Sequence, residues 1–168
     1  KSRIEALKEL AGIKGIYVPS LYKVGKIERR IVKDLDKTPF PTKPIVPFIE
    51  TVHDRAMVEI MRGCPRACKF CQARANCHPV RIRKKETIER LAEELIKNTG
   101  YEELSLVSLS TSDHPQISDI ARTLAAKFRS RKVSIALPSV RMDSLSISLA
   151  RDIGDVRPHS VTLAPEAG

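Results

Sequence analysis

From residue 51 onward the sequence alternates between strand-like and helix-like periods, and that alternation restricts the chain to a layered α/β fold. Residues 57–61 are a short apolar run of strand length. Over residues 86–98, Ile88, Leu91, Ala92, Leu95 and Ile96 recur at i, i+3, i+4, i+7 and i+8, the spacing of a helix with one apolar face; Gly100 stops it. Residues 104–109 read as a second strand. Ser112 or Asp113 is placed to cap a helix with Pro115 in its first turn, and Ile117, Ile120, Ala121, Leu124, Ala125 and Phe128 form its apolar stripe. Residues 133–137 are a third strand, ended by Pro138. A helix capped by Asp143 runs through Ile153, and residues 160–163 are a fourth strand. Strand–helix repeats of this length build a parallel sheet. Such a sheet presents its reactive residues at the carboxyl ends of its strands.

Those strand ends carry the polar motifs. Cys64, Cys68 and Cys71 follow the first strand in a C-x3-C-x2-C array. Ser110, Thr111, Ser112 and Asp113 follow the second, with Ser108 among its last residues, Ser139 to Arg141 the third, and Glu166 the fourth. Three thiols this close along one loop can share a metal centre. A tetrahedral zinc site needs a fourth ligand, for which Cys77 or His78 is at hand. A cubane iron–sulfur cluster held by three cysteines leaves one iron open to a further ligand. His53, His78, His114 and His159 show no ligand spacing among themselves. Ala67 lies inside the array, where a left-handed backbone, free for a glycine, would be strained.

The array resembles the signature of the radical S-adenosylmethionine (SAM) superfamily, Phe70 before the third cysteine included. Residues 52–64, Pro79 to Arg81, 106–113, 137–141 and 163–168 resemble more closely the radical SAM domain of a bacterial family with a cobalamin-binding-like N-terminal domain, related to the methylthiotransferases. The resemblance implies a partial (β/α) barrel. It implies a [4Fe–4S] cluster on Cys64, Cys68 and Cys71 that donates an electron to SAM and releases methionine and a 5′-deoxyadenosyl radical. It implies SAM contacts from Phe70, from Ser108, Ser110 and Ser112 to the amine, from Ser139 and Arg141 to the carboxylate side, and from Glu166 to a ribose hydroxyl or substrate. An electron donor is a further implied partner. The resemblance carries no substrate. Cobalamin has no D-x-H-x-x-G motif here, so its use would rest on other parts of a full-length protein.

Upstream, residues 2–11 read as a short helix stopped by Gly12, and residues 15–19 as an extended piece. Residues 38–47 hold four prolines in ten positions, a semi-rigid connector expected to wrap the barrel and bury Phe40, Ile45, Val46, Phe48 and Ile49. The expected division is therefore 1–50, the tail of an upstream domain with its connector, and 51–168, the N-terminal part of a radical SAM domain. Radical SAM barrels use six β/α units, so four strands imply a truncated barrel, and Lys1 implies a missing native start.

Composition adds two constraints. Four cysteines, three of them clustered, point to metal binding in a reducing compartment, the cytoplasm, rather than to a disulfide framework; no apolar run has membrane-spanning length. Net charge is +10, and residues 62–85 carry eight basic side chains and no acidic one. Such a run attracts polyanions, of which nucleic acid is the usual one; with the methylthiotransferase resemblance it implies RNA or a ribosome-associated target. The competing reading is a zinc-stabilised nucleic-acid-binding module without catalysis, although aromatics at 4% are too few for a base-stacking platform.

Overall fold

The computed structural model describes residues 1–22, 28–49, 51–143, 147–154 and 163–165. It divides into two compact units, Lys1–Lys33 and Asp34–Gly168. In the first, helix α1 (Arg3–Ala11) opens on a reciprocal cap: the Ser2 hydroxyl accepts from the Glu5 N–H, and the Glu5 carboxylate accepts from the Ser2 N–H. Gly12 closes it, as expected, but none of its residues is buried.

The second unit is mixed α/β, built on a parallel sheet. Strand β1 (Ala56–Glu59) pairs with β4 (Glu103–Val107), and β4 with β5 (Ser134–Ala136), in the order β1-β4-β5. The register sets Val58 beside Leu106 and Leu104 beside Ile135. Helices α3 (Lys85–Thr99) and α4 (Ile117–Phe128) bring to the core the apolar stripes that their 3.6-residue periods define: Ile88, Leu91, Ala92, Leu95 and Ile96 from one, Ile117, Ile120, Ala121, Leu124, Ala125 and Phe128 from the other. Gly100 adopts φ +72° and returns its N–H to Ile96, the left-handed stop that glycine supplies without a Cβ penalty. Helix α5 (Ile147–Gly154) adds Leu149 and Ile153 to the same core.

The structure corrects four expectations. The apolar run at 57–61 is not one strand. The chain turns after Glu59, and Met61–Arg62 (β2) pairs antiparallel with Arg81–Ile82 (β3). Between them lies an unexpected short helix, α2 (Ala73–Cys77). The fourth strand does not join β5: Leu163–Ala164 (β7) pairs in parallel with Val140–Arg141 (β6) in a separate two-stranded sheet, and 160–162 lie outside the described residues. Neither Ser112 nor Asp113 caps α4. Residues Thr111–Asp113 make one 3-10 turn, His114 is extended at φ −69°, ψ 126°, and α4 begins only at Ile117. Pro115 is the cause, because the residue before a proline is pushed out of the helical region.

The fourth correction concerns the connector. Leu35 is buried, Phe40 packs against the core, and the Asn98 amide donates to the Thr42 carbonyl at 2.8 Å. Past that point Ile45, Val46, Phe48 and Ile49 stand in solvent, with Phe48 fully exposed. Proline spacing keeps this stretch extended, and extension carries these side chains away from the core rather than around it.

His114 shows how tightly the β4 end is built. It is buried; its Nδ1 accepts from the Gln116 N–H at 3.2 Å, so the neutral ring carries its proton on Nε2 and donates to the Arg83 carbonyl at 3.1 Å. Burial holds its pKa below the ordinary 6.5. The unfolded chain therefore binds a proton more readily than the folded one. Stability should be fully present above pH 6.5 and fall as pH drops from there toward the folded-state value. Urea midpoints followed over that range should fall more steeply for the wild type than for His114→Gln. Parallel slopes would move the titration to another group.

Candidate metal centre

The three clustered cysteines lie in the loop between β2 and α2, at the carboxyl end of the parallel sheet. Gly63 shapes its entry. At φ +94° it adopts a conformation that side chains rarely share, and a Cβ there would stand 2.6 Å from the Cys77 carbonyl oxygen. Ala67 needs no such backbone. Among the described residues the one non-glycine with positive φ is Lys132, so the strain expected at Ala67 is absent.

Cys68 and Cys71 line one open hollow of about 490 Å³ together with Ala67, Arg74, Ala75 and His78. Cys64 is half-buried and is not part of that lining. Cys77 lines a second hollow, about 360 Å³, with Glu59, Met61, Arg62, Gly63 and Ser108. Among the described residues no three His, Cys, Asp or Glu side chains converge on a single metal position. All four cysteines are free thiols. The donor chemistry fits an iron–sulfur cluster, which takes thiolates: three reduced sulfurs on one short loop, beside a hollow lined by two of them. The Arg141 guanidinium comes within 3.9 Å of Cys68 Sγ.

Of the residues expected to contact SAM, Ser110, Ser139 and Arg141 are brought together around a third hollow, about 190 Å³, with Pro138 and Val140. The Thr111 N–H donates to the Ser139 carbonyl at 2.9 Å, and the Arg141 N–H donates to Ser112 Oγ at 3.3 Å. These bonds tie the β4 end to β6. The hydroxyls are largely engaged within the protein. Ser108 Oγ accepts from the Ser110 N–H and donates to Thr111 Oγ1, and Ser110 Oγ donates to Asp113 Oδ2 at 2.7 Å. Phe70 is 72% exposed. Glu166 lies outside the described residues.

Two residues that the sequence reading left without a site role stand at the centre of this network. Arg66, between the first two cysteines, grips Asp113 through three bonds: Nε to Oδ1 and Oδ2 at 3.0 and 2.9 Å, and Nη2 to Oδ1 at 2.5 Å. The hydrogen bonds from Arg66, helped by Ser110 and opposed by burial, hold the Asp113 carboxyl below the usual carboxylate range. Asp143 takes two bonds from Arg141, at 3.0 and 2.9 Å. A lone arginine inside a cysteine array, and an aspartate at the end of the next parallel strand, were the available sequence signals.

The basic run 62–85 is mostly spent on the protein itself. Arg62 makes a two-point pair with Glu59, Arg66 holds Asp113, Arg81 donates to the Cys77 and Pro79 carbonyls, Arg83 is buried, and Lys85 pairs with Asp119. Lys69, Arg74 and Lys84 are the exposed members.

A family model described as the radical SAM superfamily matches residues 58–168, from the middle of β1 to the last residue. The chain belongs to the radical SAM superfamily. It is also 33% identical over 156 residues to an uncharacterized protein of Methanocaldococcus jannaschii; the match covers 93% of this chain and 33% of that relative, so the chain spans about a third of its length. No helix among the described residues is long and apolar enough to cross a membrane.

Proposed function

We propose that this chain is the cluster- and SAM-binding part of a radical SAM enzyme, with Cys64, Cys68 and Cys71 as the cluster ligands. The observation that carries the reading is the placement of a loop with three free thiols against the strand ends that present Ser110, Ser139 and Arg141. A [4Fe–4S] cluster bound there would supply the electron that splits the sulfonium C–S bond of SAM into methionine and a 5′-deoxyadenosyl radical. The protein's own part is to bind and orient. Arg141, held by Asp143 on two of its nitrogens, turns Nη1 toward Cys68, where it can donate to the SAM carboxylate. The backbone and hydroxyls of 108–112 offer acceptors for the SAM amine, Ser139 lines the same hollow as Ser110 and Arg141, and Phe70 is assigned to SAM by resemblance alone. Glu166 is assigned to a ribose hydroxyl or a substrate group by resemblance alone.

The substrate reading is narrower than the charge of the chain suggests. An anionic substrate or partner, RNA included, now rests on Lys69, Arg74 and Lys84, since the other basic side chains of the run are paired or buried. Kinship with the cobalamin-linked, methylthiotransferase-related family, a partial (β/α) barrel, the division at residue 50 and a cytoplasmic setting belong to the same proposal.

Anaerobic purification and reconstitution of the full-length protein test it. The wild type should be brown, with about four irons and four sulfides per chain, and should form 5′-deoxyadenosine from SAM under dithionite. Cys71→Ser should lose the iron, while Cys77→Ser should keep it, because Cys77 faces the other hollow. A colourless protein with one zinc per chain would replace this reading with the zinc module, and iron loss in Cys77→Ser would make Cys77 a ligand.

A further inference from the structure

The cysteine loop and the turn after β4 differ sharply in how they are held. In the loop, Pro65, Ala67, Lys69, Phe70 and Cys71 are exposed. The turn after β4 is packed and internally bonded. Thr111 is buried and donates from Oγ1 to the Leu106 carbonyl; the Asp113 N–H donates to the Ser110 carbonyl; His114 is anchored on both ring nitrogens. Asp113 projects from this rigid turn with its side chain only 9% exposed and takes Arg66 in a three-bond grip, 47 residues away in sequence. Arg66 sits midway between Cys64 and Cys68, so the grip fixes the backbone that carries both sulfurs.

We propose that Asp113 is a positioning residue for the metal centre: through Arg66 it holds the Cys64–Cys68 segment against the end of β4 before and after the cluster is bound. The inference rests on the cluster reading for its consequence, but not for the grip itself. A planar guanidinium on two carboxylate oxygens constrains both distance and orientation. Ser110 Oγ, donating to Oδ2 at 2.7 Å, stops the carboxylate from rotating away. A second and looser tie reinforces the grip, since Arg66 Nη1 lies 3.9 Å from Asp143, the partner of Arg141. The loop is thereby tied to β4 and to the residues after β6, the two elements between which SAM would have to fit.

The test uses the full-length protein with Asp113→Asn, Asp113→Glu and Arg66→Lys, each first checked for its thermal midpoint. Asparagine keeps the size of the side chain but offers one oxygen and sets an NH2 against the guanidinium. In apo protein, amide exchange over residues 64–72 should quicken on the order of tenfold in Asp113→Asn, the scale of one lost charge-assisted bond, while exchange in α3 and α4 stays unchanged. After reconstitution, iron should pass to a chelator faster by a similar factor, and the electron paramagnetic resonance spectrum of the reduced cluster with SAM should change its g-values. Asp113→Glu should recover part of both effects. If Asp113→Asn does not fold, Arg66→Lys, which leaves the β4 turn intact, should give the same direction of change. Wild-type exchange in both Asp113→Asn and Arg66→Lys overturns the proposal, whatever the metal content. A wild type that takes up no iron overturns the cluster reading and this consequence of the grip, and the exchange measurement still decides the grip. Normal iron retention and an unchanged spectrum alongside quickened exchange would also overturn it, since the grip would then be structural only.

Discussion

Arg83→Met should destabilise the protein by about 3 kcal/mol or more, the loss of two hydrogen bonds from a charged donor to buried acceptors. Arg83 is only 1% exposed. Its Nε donates to the Glu59 carbonyl at 3.0 Å, its Nη1 to the Leu35 carbonyl, and its guanidinium lies 5.5 Å from the centre of the Phe40 ring. Burial pulls its pKa down, with Glu59 and Asp36 opposing. Replacing a buried charge with an apolar side chain is often neutral or stabilising when the partner charge leaves too. Here the acceptors are backbone carbonyls, which no side-chain substitution removes: methionine takes this donor from the Glu59 carbonyl and leaves the Leu35 carbonyl only its turn bond from the Thr38 N–H at 3.2 Å. That decides the sign. Arg83→Lys should recover a fraction, because one ammonium cannot span both carbonyls in the plane that the guanidinium uses. Denaturant midpoints with unchanged slopes check this. A methionine variant as stable as the wild type would mean that the Thr38 N–H suffices for the Leu35 carbonyl and that water reaches the Glu59 carbonyl.

The same residue shows what the sequence made legible and what it did not. The stripes of α3 and α4 could be read because helical period alone selects the buried face, and each expected stripe residue is in the core. The parallel pairing of β1, β4 and β5 followed from the strand–helix alternation. Arg83 looked like one more charge in a basic run, since nothing local marks an arginine that will meet carbonyls at 35 and 59. Arg66 and Asp113 were hidden for the same reason: their bond closes over 47 residues. Ser112 and Asp113 both suit a cap because capping is a local rule, and at Asp113 the local rule lost to two facts together, the restriction that Pro115 imposes on His114 and the pull of a guanidinium from another loop. The break of the first strand at Ile60 also needed distant information. Its carbonyl accepts from the Arg83 N–H at 2.9 Å while its own N–H reaches the Val107 carbonyl at 3.0 Å, so Ile60 bridges two sheets, which an apolar run cannot announce. The cysteines were legible as a cluster of like ligands on one loop, but not the division that sets Cys68 and Cys71 around one hollow and Cys77 around another.

Gly63→Ala should be the most damaging alanine substitution among the described glycines. Two separate costs meet there. The first is conformational: at φ +94° an alanine is held outside its ordinary backbone regions, at about 1–3 kcal/mol. The second is steric, and it falls on backbone. The new Cβ would stand 2.6 Å from the Cys77 carbonyl oxygen and 3.2 Å from both the Pro79 carbonyl oxygen and the Val80 Cα. No rotamer change relieves that contact, so residues 63 and 77–80 must separate. Arg81, whose guanidinium is bonded to the Cys77 and Pro79 carbonyls at 3.1 and 2.8 Å, braces the opposing segment, and the strain passes to the next residue along, Cys64. Gly100→Ala supplies the control. Gly100 also has positive φ, but a Cβ there meets nothing within 4 Å, so its alanine variant pays the conformational cost alone. The difference between the two melting midpoints isolates the steric part. Iron content after reconstitution should fall sharply in Gly63→Ala and stay at the wild-type level in Gly100→Ala. Equal stability loss and equal iron in the two variants would mean that residues 77–80 yield without cost, and that Gly63 serves the turn but not the placement of Cys64.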